Sequence, residues 1–220
     1  MKQLLTSIIL LVLLFSCNPR PEKANLPGII DSLAVPVDSA TSYFPFPTYT
    51  KEQVKENKRR LDQFVMGWYS TMLFGLHEPV IYNYKGDNEI YRFTLLRSFE
   101  HPLTVRLQRD GETIKLFSKL ADGAGGYEPG QIFWDTTFHV NHVQYDTLTT
   151  LIARADFWNM PIEIYDGGLD GAEWILEGVK DGKYHWAHRW SPAGDRHTNF
   201  KAVCEYVLSI SKTPMNTRRR

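Results

Sequence analysis

The chain switches several times between helical and two-residue hydrophobic periods, and each switch marks an element. Thr50 and Gln53 make a capping box, and Val54, Leu61, Val65, Trp68 and Met72 then recur three, four or seven apart. This predicts a helix over residues 51–74 with one apolar stripe against the core. Residues 88–99 alternate, with Tyr91, Phe93 and Leu95 on one face and Arg92, Thr94 and Ser98 on the other; Arg97 falls on the apolar face. That pattern predicts a strand. The run TVRLQRDGETIKLFSKL holds two more alternating stretches around Asp110-Gly111. A two-residue turn there pairs Arg109 with Glu112, Leu107 with Ile114 and Val105 with Leu116, so apolar meets apolar and opposite charges meet.

DGAGGYEPG, residues 122–130, reads as a glycine-rich connection, and QIFWDTTFHV after it as a fourth strand. Over residues 142–156, Tyr145, Leu148, Leu151, Ile152 and Ala155 return to helical spacing, with Asn141 as the cap. GAEWILEGVKDGKYHWAHRWS is a second hairpin with two possible registers. A turn of Asp181-Gly182 alone sets Trp174 against Arg189 and Glu177 against Trp186. A three-residue loop, Lys180-Asp181-Gly182, shifts the pairing by one. The second register is preferred. It gathers Trp174, Leu176, Tyr184, Trp186, His188 and Trp190 on one face and sets Glu173 opposite Arg189 and Glu177 opposite His185. Phe200, Val203, Val207 and Ile210 mark a closing helix, with Cys204 as a buried, inert thiol. The order of helix, four strands, helix, two strands and helix predicts an α+β fold, a mostly antiparallel sheet built from hairpins and packed with about three helices.

Before residue 50 neither period persists. Residues 18–47 hold six of the twelve prolines and predict a tether of roughly 30 Å mean span, although Tyr43-Phe44-Pro45-Phe46 could instead pack onto the domain. Ahead of it, Lys2 precedes twelve mostly apolar residues, 4–15. That length suits a signal h-region of about 7–15 residues and falls short of the roughly 20 that a spanning helix needs. The segment ends Leu14-Phe15-Ser16-Cys17 and resembles the lipobox of bacterial lipoproteins. This resemblance implies cleavage before Cys17, acylation of Cys17, and a lipid bilayer as the first partner. Asn18, where an Asp would signal retention, resembles lipoproteins forwarded to the outer membrane. The implied organisation is a signal peptide at 1–16, a lipidated Cys17 and tether over 17–48, a single α+β domain over 49–212, and a basic tail over 213–220.

Lys plus Arg equals Asp plus Glu at 25 each, which argues against a nucleic-acid partner. With Cys17 acylated, only Cys204 remains, so stability comes from a core and not from a disulfide.

Five features are candidates for chemistry. Glu173, Glu177, His185 and Arg189, in the preferred register, would pair a carboxylate with an imidazole beside an anion-binding guanidinium. Opposite charges on neighbouring strands are equally ordinary sheet stabilisation, about 0.2–1 kcal/mol per pair. Asp166, Asp170, Gly171 and Glu177 fall at calcium-loop spacings, but a strand follows and Gly168 holds the third position. His139 with His142, and His185 with His188, share His-x-x-His spacing; a regular strand points the second pair to opposite faces, and the first lacks further ligands for zinc. The glycine-rich 122–130 stretch lacks the helix that a phosphate loop needs. Trp134, Trp158 and Tyr127 are aromatic residues without a clear core place. No cofactor motif is present in the sequence.

DGAEWILEGVKDGKYHWAHRWSP, with YRFTLLRSFEHP before it and DFWNMP between, is similar to a group of uncharacterised bacterial proteins. The resemblance implies one folded unit over residues 91–212 and adds no catalytic residue. The expected role is a membrane-anchored envelope lipoprotein that binds a partner, such as an envelope protein or a glycan. The alternative is a small hydrolase or transferase using Glu173, Glu177, His185 and Arg189.

Overall fold

In the sheet both rows of alternating side chains are covered, one by helices and the other by a second, mixed layer. The structure is a computed structural model that describes residues 33–165 and 168–215. Six strands, β1 (Glu89–Arg97), β2 (Leu103–Asp110), β3 (Thr113–Ala121), β4 (Ile132–His139), β5 (Ala172–Lys180) and β6 (Lys183–Trp190), form one antiparallel sheet in the order β4-β3-β2-β1-β5-β6. The helices are α1 (Lys51–Lys55), α2 (Lys58–Gly75), α3 (His142–Arg154) and α4 (Thr198–Ile210). The fold is α+β, in the element order that the periodicity predicts.

On one face Tyr91, Phe93, Leu103, Val105, Leu107, Leu116 and Leu176 meet Tyr145, Leu148 and Ile152 of α3 and Phe200, Val203 and Val207 of α4. Asn141 caps α3 through a full capping box with Gln144, a motif contributing about 1 kcal/mol. Cys204 is fully buried here, and burial raises its thiol pKa well above the ordinary value. Trp134 and Trp158 pack against the rim of this core, and Trp134 donates its indole N–H to Ser118 Oγ at 3.1 Å. Met215 also packs against it, so the folded unit runs past residue 212.

On the opposite face Leu96, Ile175 and Trp186 meet Met66, Tyr69, Met72 and Leu73 of α2. Tyr43 and Phe44 join them with no exposed surface, so the patch in the expected tether is part of the core and the domain begins before residue 49. The predicted helix over 51–74 is broken. The capping box at Thr50 starts α1 as expected, but Asn57 adopts the left-handed conformation (φ 59°) and α2 begins at Lys58. Of the expected stripe only Met72 is buried, while Val54 and Leu61 are exposed; the buried residues of α2 all lie from Met66 onward.

The β2–β3 turn lies one residue later than expected. Asp110 pairs with Thr113, and Gly111-Glu112 make the turn, with Gly111 at φ 57°. A primed turn of the II′ kind wants glycine at its first central position. The pairs become Arg109 with Ile114 and Leu107 with Leu116; a slip of two positions leaves every side chain on its expected face.

The 122–130 connection is held against the sheet end. Trp68 donates its indole N–H to Gly125 O at 2.8 Å, and Gly125 N donates to Glu100 O at 2.9 Å. Tyr127 remains exposed at its tip beside Phe99.

Candidate functional site

The register of β5 and β6 decides which polar groups meet. Lys180 pairs with Lys183 around a two-residue turn, with Asp181 at φ 51° and Gly182 at φ 69°. Both central residues are left-handed, as a type I′ turn requires, and that turn matches the right-handed twist of its strands. Glycine adopts this conformation freely and Asp tolerates it. Glu177 therefore faces Trp186, Glu173 faces Trp190 and Trp174 faces Arg189. The preferred three-residue loop is not formed. The expected quartet does not assemble, because one step of register sends His185 and Arg189 to the opposite face from Glu173 and Glu177.

Glu177 belongs to a buried charge cluster. Arg92 binds it through two parallel bonds, Nε to Oε2 at 2.7 Å and Nη2 to Oε1 at 2.8 Å, and donates Nη1 to Pro79 O at 2.7 Å. Tyr184 donates to the same carboxylate at 3.1 Å. Glu78 accepts from Arg106 Nε at 2.8 Å and forms ion pairs with Lys119 Nζ at 2.9 Å and Arg92 Nη1 at 3.6 Å. Burial alone would raise the Glu78 pKa, but Lys119, then Arg106 and Arg92, override it and hold the carboxyl at about 2. Arg92 is likewise opposed by burial, yet Glu177 and Glu78 carry its pKa upward. With its oxygens so occupied, Glu177 is not a free calcium ligand or an acid–base group.

The other sequence candidates separate. Arg189 donates to Ile162 O and Pro161 O, both at 2.8 Å, and lies 5.2 Å over the Phe200 ring. It clamps the 161–162 segment to the edge of β6, where His188 N also donates to Ile162 O at 2.8 Å. His185 packs edge-on against Phe157, and burial lowers its pKa. Asp170 is exposed, and Asp166 lies outside the described residues. His139 ends β4 opposite Lys115, and His142 opens α3 with Nε2 3.6 Å from Glu112. Among the described residues no three His, Cys, Asp or Glu side chains gather to hold a metal ion. Cys17 lies outside the described residues.

A different site forms between α2, the 162–165 segment and β6. Leu61, Val65, Met66 and Trp68 of α2, Ile162 and Ile164 of the clamped segment, and Trp186 and Trp190 of β6 enclose a cleft of about 610 Å³. Phe46 and Tyr165 stand at its walls, exposed by 64% and 83%. Exposed rings beside a concavity are the surface a protein keeps for a partner. Lys58 spans from α2, with Nζ 2.9 Å from Asp62 and 3.4 Å from Glu163.

Glu173, His188 and Tyr69 bring polar groups into this apolar cleft. His188 Nδ1 is 3.0 Å from Glu173 Oε1 and 3.1 Å from the Tyr69 hydroxyl oxygen. An ionised carboxylate only accepts, so a hydrogen bond from the ring to Glu173 places a proton on Nδ1. The Trp186 ring stacks on the imidazole, centroids 5.2 Å apart and planes at 16°. Burial, then the Glu173 charge, raises the Tyr69 pKa well above its ordinary value, so the phenol stays protonated. The pattern reading misses this constellation because it assigns the Trp186, His188, Trp190 row wholly to core. The available signal is the alternating stretch PIEIY, residues 161–165, whose Glu163 bridges to His188.

The chain matches no protein-family model, and no curated protein matches it.

Proposed function

We propose that this protein is a lipid-anchored binding module of the cell envelope that takes a small ligand with an apolar body into the cleft between α2 and β6. The observation that carries the reading is the cleft itself. Its volume falls in the range of about 300–1,000 Å³ usual for small-molecule sites, and its walls are mostly apolar with a small set of convergent polar groups. The anchor rests on the resemblance of residues 1–17 to a lipobox, with Cys17 as the acylated residue and the outer membrane as the destination. Against a hydrolase or transferase stands the separation of Glu173 and Glu177 from His185 and Arg189. The Glu173–His188 pair resembles an oriented base, yet among the described residues no Ser, Thr or Cys lines the cleft to act as its nucleophile.

Three of the six tryptophans, Trp68, Trp186 and Trp190, line the cleft, so occupancy can be followed by their emission. The full chain is titrated with water-soluble six-carbon amphiphiles bearing alcohol, ammonium or carboxylate heads. At least one class is expected to give a saturable change that Val65→Trp, which fills the cleft, removes. Should every class leave the emission unchanged, the reading is overturned.

A further inference from the structure

The described residues contain three buried carboxylates, Glu78, Glu173 and Glu177, exposed by 0%, 5% and 0%. Taking such a charge out of water costs several kcal/mol, roughly, unless a cation and hydrogen bonds replace the lost solvent. Glu78 has Arg106, Lys119 and Arg92, and Glu177 has both arms of Arg92. Glu173 is treated differently. Its contacts are the ring N–H of His188 and the neutral phenol of Tyr69, and among the described residues no Lys or Arg forms an ion pair with it. Arg189, on the same hairpin, is turned to the other face and donates Nη1 and Nη2 to backbone carbonyls, so it forms no ion pair with Glu173. Glu173 lines the cleft, so a cation that enters there reaches a buried carboxylate with no Lys or Arg ion pair among the described residues.

The surroundings suit a cation brought from outside. Phe46, Tyr165 and Trp190 line the cleft with Glu173, and the faces of such rings attract ammonium groups. The charged lining holds one lysine, Lys58, against Asp62, Glu163 and Glu173, and Lys58 is already bound to the first two. Beyond these groups, Tyr69 and His188 the lining is apolar, with Leu61, Val65, Met66 and Ile162.

We infer that the ligand is a small organic cation, an ammonium or quaternary ammonium group on an apolar body, whose charge completes the buried Glu173 and whose body lies along α2. The inference rests on the cleft being a binding site and names the chemistry of its occupant. An anionic ligand would be repelled by the carboxylate, and a neutral one would bring it no counter-charge.

The test compares hexyltrimethylammonium, 1-hexanol and hexanoate on the full chain by tryptophan emission, since the three share one body and differ in the head. The ammonium is expected to bind at least about tenfold more tightly than the alcohol, with the carboxylate weakest, and Glu173→Gln is expected to abolish the order. Equal affinity for all three heads overturns the cation inference and leaves the cleft as an apolar site. Ammonium preference that survives Glu173→Gln overturns the role of Glu173. Binding of none of the three overturns the cleft reading as well. The wild-type comparison decides the matter alone if Glu173→Gln does not fold.

Discussion

Arg92 serves two carboxylates at once, and its loss strands charge in the interior. Arg92→Met removes the twin bonds to Glu177 and one cation near Glu78. The expected cost is about 3–5 kcal/mol in urea unfolding, because the remaining Glu177 is buried without a counter-charge. Arg92→Met combined with Glu177→Met is expected to recover most of that loss, since both charges leave together and Glu78 keeps Arg106 and Lys119. A double variant as unstable as the two single losses added would refute this account. The same residues show where sequence reasoning ends. Alternation places Arg92, Arg106 and Glu177 opposite the apolar row, but it cannot say whether that row meets water or a second layer. One hint was present: Arg92 lies directly across from Arg106. Like charges facing each other on adjacent strands repel unless a carboxylate such as Glu78 comes between.

Elements were more legible than their joints. All six strands and the three long helices follow from periodicity, because a period of 2 or 3.6 sustained over eight or more residues is set by burial on one side. Turns were harder: Asp110-Gly111 was expected where Gly111-Glu112 turns, and Lys180-Asp181-Gly182 was preferred where Asp181-Gly182 alone turns. In the β5–β6 hairpin the error was a single position, which is the error that exchanges faces, and it produced a charged quartet that the fold does not contain. The real cleft escaped because Leu61 and Val65 carry the same helical spacing as Met72, and spacing does not report which turns of a helix are buried. A pair of glycine variants tests the packing of two elements. A methyl on Gly125 would come within 2.7 Å of Arg97 N and O, both backbone atoms, while one on Gly67, in the middle of α2, meets nothing within 4 Å. Gly125→Ala is expected to destabilise by about 1–3 kcal/mol, and Gly67→Ala to stabilise by about 0.5–1 kcal/mol. Denaturant midpoints with unchanged slopes check both, and a neutral Gly125→Ala would mean that the loop is not seated on β1.

At the scale of the molecule, location and assembly are the open questions with physical handles. If Cys17 is the lipidated residue, bacterial cells expressing the chain with an alkyne-tagged fatty acid should label it and retain it with membranes, and Cys17→Ser should lose both properties. Labelling that survives the substitution would remove the anchor from the proposal. The strand order carries a further consequence. β5 enters the sheet beside β1, more than seventy residues earlier in the chain, instead of extending the β1–β4 meander at β4. A growing chain can therefore build the meander from neighbours, yet it carries an open β1 edge, with Arg92 lacking Glu177, until the last quarter is made. Pairings so distant are slow to form because a long loop must be ordered before they reward it. The closing hairpin also brings Trp186, His188 and Glu173, so the cleft comes into being only with the final act of folding. A chain stopped before Ala172 has neither a sealed sheet nor a place for a ligand.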